Sequence, residues 1–366
     1  MNGKERILTA LGRGQPDMVP IWELAFNEPS IIGIAGHFMD KDKLPEAKPI
    51  MDMTIAERLK LINCLFTLVK ELDTDGLTAI SLAPRERIDK DHMRDCMGVT
   101  YHLSDFGEPY PVEGPIKEPA DLKKYRMRSP DDSDYLLLTI ARSNLPDKAV
   151  AFHMPATFKH SWSLRGSMEQ LLMDYVLNPE LAHDLARMVT DFCKELVKGA
   201  VGKGADFIVL DGDLAFNPGP LMSPSHYDEF IGPYHKEIVD EVHKLGVKII
   251  KHSDGNLLPL FPNLIKAGFD GIHPIQPQCM DIGKTKKSFG DKVCVLGNID
   301  CSYLLVFGNP GEVEQSVKET IAAAAPGGGY IISSSNSIHP GCKPENYIAM
   351  VKAARKYGRY PQLDKI

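Results

Sequence analysis

The chain has 366 residues and a formal net charge of -7, which argues against a nucleic-acid binder, since such proteins usually carry a basic patch. No apolar run approaches the ~18 residues that a membrane span needs. The opening Met1-Asn-Gly-Lys-Glu-Arg-Ile-Leu8 has no signal-peptide core, so the expectation is a cytoplasmic protein. The seven cysteines are scattered and lack any C-x-x-C pair, which speaks against a disulfide framework or a zinc knuckle.

Residues 2–12 predict a short helix with Ile7, Leu8 and Leu11 on one side, ended by Gly12 to Gly14 and Pro16. Val19 to Ala25 reads as a first strand, and residues 28–50 as loop. Thr54 to Glu71 is an amphipathic helix opened by a Thr54/Glu57 capping box. Gly76 to Ser81 is a second strand. From Leu82 to about Pro146 the pattern is lost, apart from alternation over Cys96 to Leu103 that suggests one strand of a hairpin. An insertion of this length usually serves function, often as a lid.

Ala149 to Met154 is a third strand, followed by helices at about 167–177 and 179–200. Asp206 to Gly212 is a fourth, with a helix from about Ser225 to Lys244. Val247 to His252 is a fifth, followed by a helical run from Leu257 to Ala267. Gly271 to Gln276, Lys292 to Asn298 and Gly329 to Ser334 complete the set, with helices at Glu312 to Ala324 and Pro344 to Tyr357. Eight apolar strands alternating with helices predict a (β/α)8 TIM barrel. It has an N-terminal helix and a long insertion after the second strand. The whole chain, 1–366, reads as one barrel domain, with 82–146 a lid or hairpin insertion. The rival, an open doubly wound sheet, lacks its G-x-G-x-x-G turn.

In a barrel the active site lies where the strands end. The residues there are Glu23, Ser81, His153, Asp211 with Asp213, His252 with Asp254, Gln276, Asn298 with Asp300, and Asn336 with His339. Nearly every strand ends in a group that could bind, donate or accept. Singly, each has a plainer use, because a strand-end Asp or Asn often caps the next helix. His252 and Asp254 share a face of an extended chain and could ligate one metal, with Glu23, Asp211 or Asn336 as a third ligand. The other reading makes His252 a proton donor oriented by a carboxylate.

Four blocks in order resemble the uroporphyrinogen decarboxylase superfamily: Asp211-Gly-Asp-Leu-Ala-Phe-Asn-Pro-Gly-Pro-Leu-Met-Ser-Pro-Ser-His-Tyr-Asp-Glu-Phe230, Lys251-His-Ser-Asp-Gly255, Leu296-Gly-Asn-Ile-Asp300, and Asn336-Ser-Ile-His-Pro340 with Pro344-Glu-Asn346. The resemblance spans roughly residues 1–358 and implies a (β/α)8 barrel. It implies one of two activities: cofactor-free decarboxylation of uroporphyrinogen, or methyl transfer involving the cobalt of a corrinoid carried on a separate protein. Decarboxylases of the family carry an arginine-rich R-x-x-x-R-Q-A-G-R motif near the N-terminus. The matching Pro20 to Asn27 has no arginine, and the Gly-Pro-Leu-Met-Ser-Pro wording is closer to the methyltransferase branch.

Thiol-methylating members of that branch bind zinc through His-x-Cys and a distant Cys. Here His252 matches the His, while Asp254 and Asn336 stand at the cysteine positions. The resemblance therefore implies a corrinoid-dependent methyltransferase of the O-demethylase type. Its donor would be a small methylated substrate such as a methoxylated aromatic, and its partner a corrinoid protein. Candidate catalytic residues are His252, Asp211 and Glu23. Candidate substrate contacts are Trp22, Asn27, Tyr101, His153, Asn298, Asn336 and His339, and His252 and Asp254 are candidate ligands of a zinc ion. A homodimer is a candidate assembly, and no nucleic-acid or membrane partner is expected. Decarboxylation and a non-catalytic binding role on a barrel scaffold are the alternatives.

Overall fold

The computed structural model of the chain describes residues 1–103 and 109–360. Residues 104–108 of the expected 82–146 insertion lie outside the described residues. Seven parallel strands form one curled sheet: Gly76–Ile80, Ala149–Pro155, Phe207–Asp211, Lys248–His252, Gly271–His273, Cys294–Leu296 and Tyr330–Ile331. Each pairs with the next in chain order. Helices cross between them, as parallel neighbours require.

The two sheet edges are joined by Pro20 to Trp22. On one side the Ile332 N–H donates to the Pro20 carbonyl at 2.9 Å and the Trp22 N–H to the Ile332 carbonyl at 3.1 Å. On the other, the Asp75 N–H donates to the Ile21 carbonyl at 2.8 Å. The expected first strand, Val19 to Ala25, is therefore present as the eighth stave but shortened to a single bridge at Ile21. Pro20 has no N–H to extend the ladder. The fold is that of a TIM barrel.

Alternation along the strands divides the core in two. Ala149, Ala151, Phe207, Val209, Ile250, Leu296 and Trp22 fill the barrel interior with Ile7, Ala10 and Leu11 of helix Gly3–Leu11. Leu77, Val150, Phe152, Ile208, Ile249 and Val295 face the surrounding helices. The N-terminal helix thus packs into the barrel's lower end, where Gly76 and Gly271 leave room for Ile7 and Leu11.

Several expected elements match closely. Ile55–Glu71 is capped by the reciprocal Thr54/Glu57 box, and the last helix is Pro344–Tyr357. Others differ for local reasons. Helix Glu28–Ala35 lies in the stretch expected to be loop; Pro29 starts it and Ile31, Ile34 and Ala35 bury it. The helix expected over 225–244 breaks at Ile231 into Pro224–Phe230 and Gly232–Lys244, because Pro233 restarts a helix rather than continuing one. The insertion opens with a four-stranded antiparallel sheet, Arg85–Arg87, His92–Asp95, Thr100–His102 and Tyr110–Glu113, and ends with helices Pro119–Lys124 and Leu136–Asn144. Among the described residues no helix is long and apolar enough to cross a membrane.

Asp75 holds the closure and is fully buried. Its Oδ2 accepts the Ile21 N–H at 2.8 Å and lies 3.0 Å from Arg355 Nη2, while Oδ1 accepts from Arg6 Nη1 at 3.1 Å. Removing one partner of a buried ion pair costs about 3–5 kcal/mol. Asp75→Ala should lose that much stability in urea unfolding; a loss under about 1 kcal/mol would show that closure does not depend on it.

Candidate active site

The C-terminal ends of the strands open into a mouth of two overlapping lobes, each about 940 Å3. One lobe is polar, with Glu28, Asp52, Arg87, Lys90 and Asp91 on its wall. The other is lined by Met93, Tyr101, Tyr110, Trp162, Met168 and Phe216, so the insertion sheet supplies part of its wall. His153, Lys159, Asp211, Asp213, Asp254 and Gln276 border both.

The Asp-Gly-Asp turn after strand Phe207–Asp211 builds the centre. Gly212 has φ 136°, and a Cβ there would meet Lys159 Cβ at 3.0 Å. Only glycine fits that turn without strain, and it lets Asp211 and Asp213 both reach His252. One oxygen or nitrogen from each of Asp211, Asp213 and His252 lies within 4.8 Å of the others. Among the described residues this is the cluster able to hold a metal ion, and Asp254 is not part of it. The geometry therefore groups His252 with Asp211 and Asp213, whereas the expectation paired it with Asp254. The Asp254 N–H donates to Asp213 Oδ1 at 2.9 Å, and its carboxylate accepts from Asn336 Nδ2.

Asp211 is enclosed by cations and potential cations. Lys159 Nζ donates to its Oδ2 at 2.9 Å, His153 Nε2 lies 3.5 Å from the same oxygen, and His252 Nε2 lies 3.8 Å from Oδ1. Burial alone would raise the Asp211 carboxyl, but the Lys159 charge, with the His153 contact, outweighs it and holds the group well below the usual range. Asp213 goes the other way, raised by burial and then by the charge on Asp211. Asp213 is exposed to the mouth, so its rise is modest, and Asp211 is the more acidic of the two. Burial drives the His252 imidazole down to about 3 against the pull of Asp211, so it is neutral near pH 7. Its Nδ1 lies 2.9 Å from Nδ1 of His273.

Other expected contacts separate into two groups. Asn27, Asn336 and His339 line the polar lobe, and Tyr101 the aromatic one. The Tyr101 hydroxyl donates to Asp95 at 3.1 Å, and His339 Nε2 lies 2.9 Å from the Cys301 carbonyl. Trp22 and Asn298 are corrections. Trp22 is fully buried on the barrel axis, edge-on to Phe207 and His273. The Asn298 amide donates to the Ile275 carbonyl at 2.7 Å. Neither borders either lobe of the mouth.

Glu23 lies behind the mouth, 3 % exposed. The Ser334 N–H donates to its carboxyl at 3.0 Å, and Ser334 Oγ lies 2.6 Å from Oε2 and 2.7 Å from the Asn336 carbonyl. One hydroxyl hydrogen cannot serve both oxygens. A protonated Glu23 resolves this by donating to Ser334 Oγ, which then donates to Asn336. Burial accordingly raises Glu23 to about 8.

Lys159, Lys251, His273 and Ser333 were missed in the sequence. Lys159 is in the first turn of helix Thr157–Arg165. Lys251 is fully buried, its Nζ donating to the carbonyls of Gly212 at 2.6 Å, Leu210 at 3.4 Å and His252. A lysine and a histidine inside otherwise apolar strands were the available signals.

The family model described as uroporphyrinogen decarboxylase (URO-D) matches residues 93–357. A uroporphyrinogen decarboxylase of Myxococcus xanthus is 26% identical over 372 residues, covering 97% of each chain. One of Coxiella burnetii is 23% identical over 384 residues, covering 96% of this chain and 95% of its own. Among solved structures, a methyltransferase from Methanosarcina mazei superposes with TM-score 0.74 at 18% identity, covering 98% of this chain and 99% of its own. A B12-independent methionine synthase from a Shewanella species gives TM-score 0.54 at 14% identity, covering 93% and 98%.

Glu23 also sets a pH dependence. A carboxyl raised in the folded state stabilises fully below its unfolded value and loses that contribution as pH rises through its folded one. The contribution of Glu23 to stability should therefore decline between about pH 4.5 and 8. Glu23→Gln keeps a donor to Ser334 Oγ and removes the titration. Its melting temperature relative to wild type should climb over that window and level off above it; a constant difference would refute the proton on Glu23.

Proposed function

The chain belongs to the uroporphyrinogen decarboxylase family, and within it we propose a corrinoid-dependent methyltransferase. It moves a methyl group from a small methylated substrate, a methoxylated aromatic, to the cobalt of a corrinoid held by a partner protein. One observation carries this reading: Asp211 and Asp213 line an aromatic-walled lobe, while His252, clustered with them, opens onto the adjoining lobe. That arrangement suits an apolar ring whose ether oxygen needs its developing charge neutralised. The methyltransferase from Methanosarcina mazei shares the fold over nearly the whole chain. Segment Pro20 to Asn27 has no arginine to hold the carboxylates of uroporphyrinogen.

The ring lies among Tyr101, Trp162 and Met168. A reduced corrinoid on the partner would supply the electron pair that takes up the methyl group, and the aromatic oxygen, keeping the electrons of the broken C–O bond, needs its negative charge neutralised. Asp213 is placed to give that oxygen a proton, while ionised Asp211, held by Lys159, keeps the Asp213 proton in place. Two carboxylates and a neutral imidazole also suit a divalent cation such as zinc. When bound, such an ion would supply Lewis acidity at the same oxygen. Phe216, Tyr303 and Phe307 are 61–68 % exposed on segments that follow strand ends, an apolar rim suited to a docked partner.

Decarboxylation is the second reading, favoured by the names of the relatives and by Arg85, Arg87 and Lys90 on the mouth wall. Arg87 is already paired with Asp52 at 2.7 Å.

Incubation with a reduced corrinoid protein and a methoxylated aromatic should yield the methylcobalamin spectrum. Carbon dioxide release from uroporphyrinogen instead would select the second reading, and neither product would leave a binding role. General acids contribute about 10²–10⁴-fold, so Asp213→Asn should slow demethylation by that factor with the fold intact. His252→Ala should abolish turnover. Unchanged rates in both variants would remove the site assignment.

A further inference from the structure

Hydrogen positions along a buried chain of donors and acceptors behind His252 follow from the valences of its members. Ser333 Oγ has one hydrogen and lies 2.8 Å from the Ser334 carbonyl, which can only accept. Its hydroxyl therefore donates there and offers a lone pair to His273 Nε2 at 3.1 Å. Donating to that lone pair requires a hydrogen on Nε2 of the His273 ring. With that hydrogen on Nε2, Nδ1 of a neutral His273 is an acceptor. It faces His252 Nδ1 at 2.9 Å, so the hydrogen between the rings belongs to His252 Nδ1.

We infer that His273 and Ser333 are positioning residues that lock His252 as its Nδ1–H tautomer, so that Nε2 presents a lone pair to the mouth as a cation ligand and not a proton. Three features keep the chain from rearranging. His273 and Ser333 are fully buried, so water does not compete. Trp22 stands edge-on to His273 at 5.2 Å and fixes the ring. The Lys251 ammonium next to His252 in sequence is spent on backbone carbonyls. The consequence is a mismatch at the mouth: His252 Nε2 and Asp211 Oδ1 are 3.8 Å apart, both acceptors with no hydrogen between them. Such a pair accepts a divalent cation, as when the second nitrogen of a ligating histidine is bound by the surrounding protein.

This deepens the reading of the site above, but its test uses no corrinoid and no methyl donor, so either can fail alone. In metal-stripped protein labelled with 15N-histidine, long-range nitrogen–proton spectra near pH 7 should show His252 Nδ1 protonated and Nε2 as a bare pyridine-type nitrogen. A protonated Nε2 would overturn the inference. Calorimetric titration with zinc alone gives a second readout. His273→Leu removes the acceptor and should weaken zinc about 10–100-fold. His273→Asn places an amide oxygen near the Nδ1 position and should restore affinity to within a few-fold. Should His273→Leu fail to fold, Ser333→Ala frees the His273 tautomer while leaving both rings, and should show the same loss in smaller degree. Wild-type protein that takes up no zinc, or variants that all bind it equally, would also overturn the assignment.

Discussion

A seven-stranded parallel sheet closes on itself through four residues. Pro20 to Glu23 touch the last strand on one side and the segment leading into the first on the other. Asp75 fixes the arrangement with one buried carboxylate that answers a backbone N–H and two arginines. The same short segment also places the groups behind the site. Trp22 packs on the axis against His273, and Glu23 shares a proton with the serine that follows Ser333. Closure and the shell of the site are thus one construction, so a change made to relieve one would be felt in the other.

At the mouth, burial sets the chemistry. Without Lys159 the Asp211 carboxylate would be too costly to keep charged in this enclosure. With it, Asp211 stays ionised and pushes its neighbour Asp213 toward the protonated form. Lys251 adds a second cation beneath the Asp-Gly-Asp turn, lowered to about 8 by burial against the opposing pull of Asp211 and Asp213. It meets carbonyls rather than carboxylates. Its role is to fix where the turn sits, since the carbonyls it gathers come from both strands that carry the cluster.

The barrel was legible because strands buried on both faces read as apolar runs, and because Thr54 with Glu57 and Pro344 mark helix starts by local chemistry. Val19 to Ala25 read as a full strand because its pattern does not show that Pro20 limits the ladder. Helix Glu28–Ala35 was hidden by Gly33 and Gly36, although Pro29 begins it. Of the site, Asp211, His252 and the strand-end amides were visible as polar tips on apolar strands. His273 and Lys251 were not, because their partners are a second imidazole and backbone carbonyls from distant segments. Residue type does not reveal which face of a one-bridge strand points inward, so the axial place of Trp22 is not visible in the sequence.

The closing segment has a consequence for the order of synthesis. Glu23 and Ser334 are 311 residues apart along the chain, so the first stave to be made is paired on its far side only when almost the last has been added. Until then the growing chain is an open sheet with two bare edges, the arrangement most exposed to wrong partners. The Gly3–Leu11 helix, made at the outset, offers Ile7 and Leu11 to the barrel interior before that interior exists. The helix and its neighbouring stave thus wait on some 311 residues of following chain before the barrel around them can close.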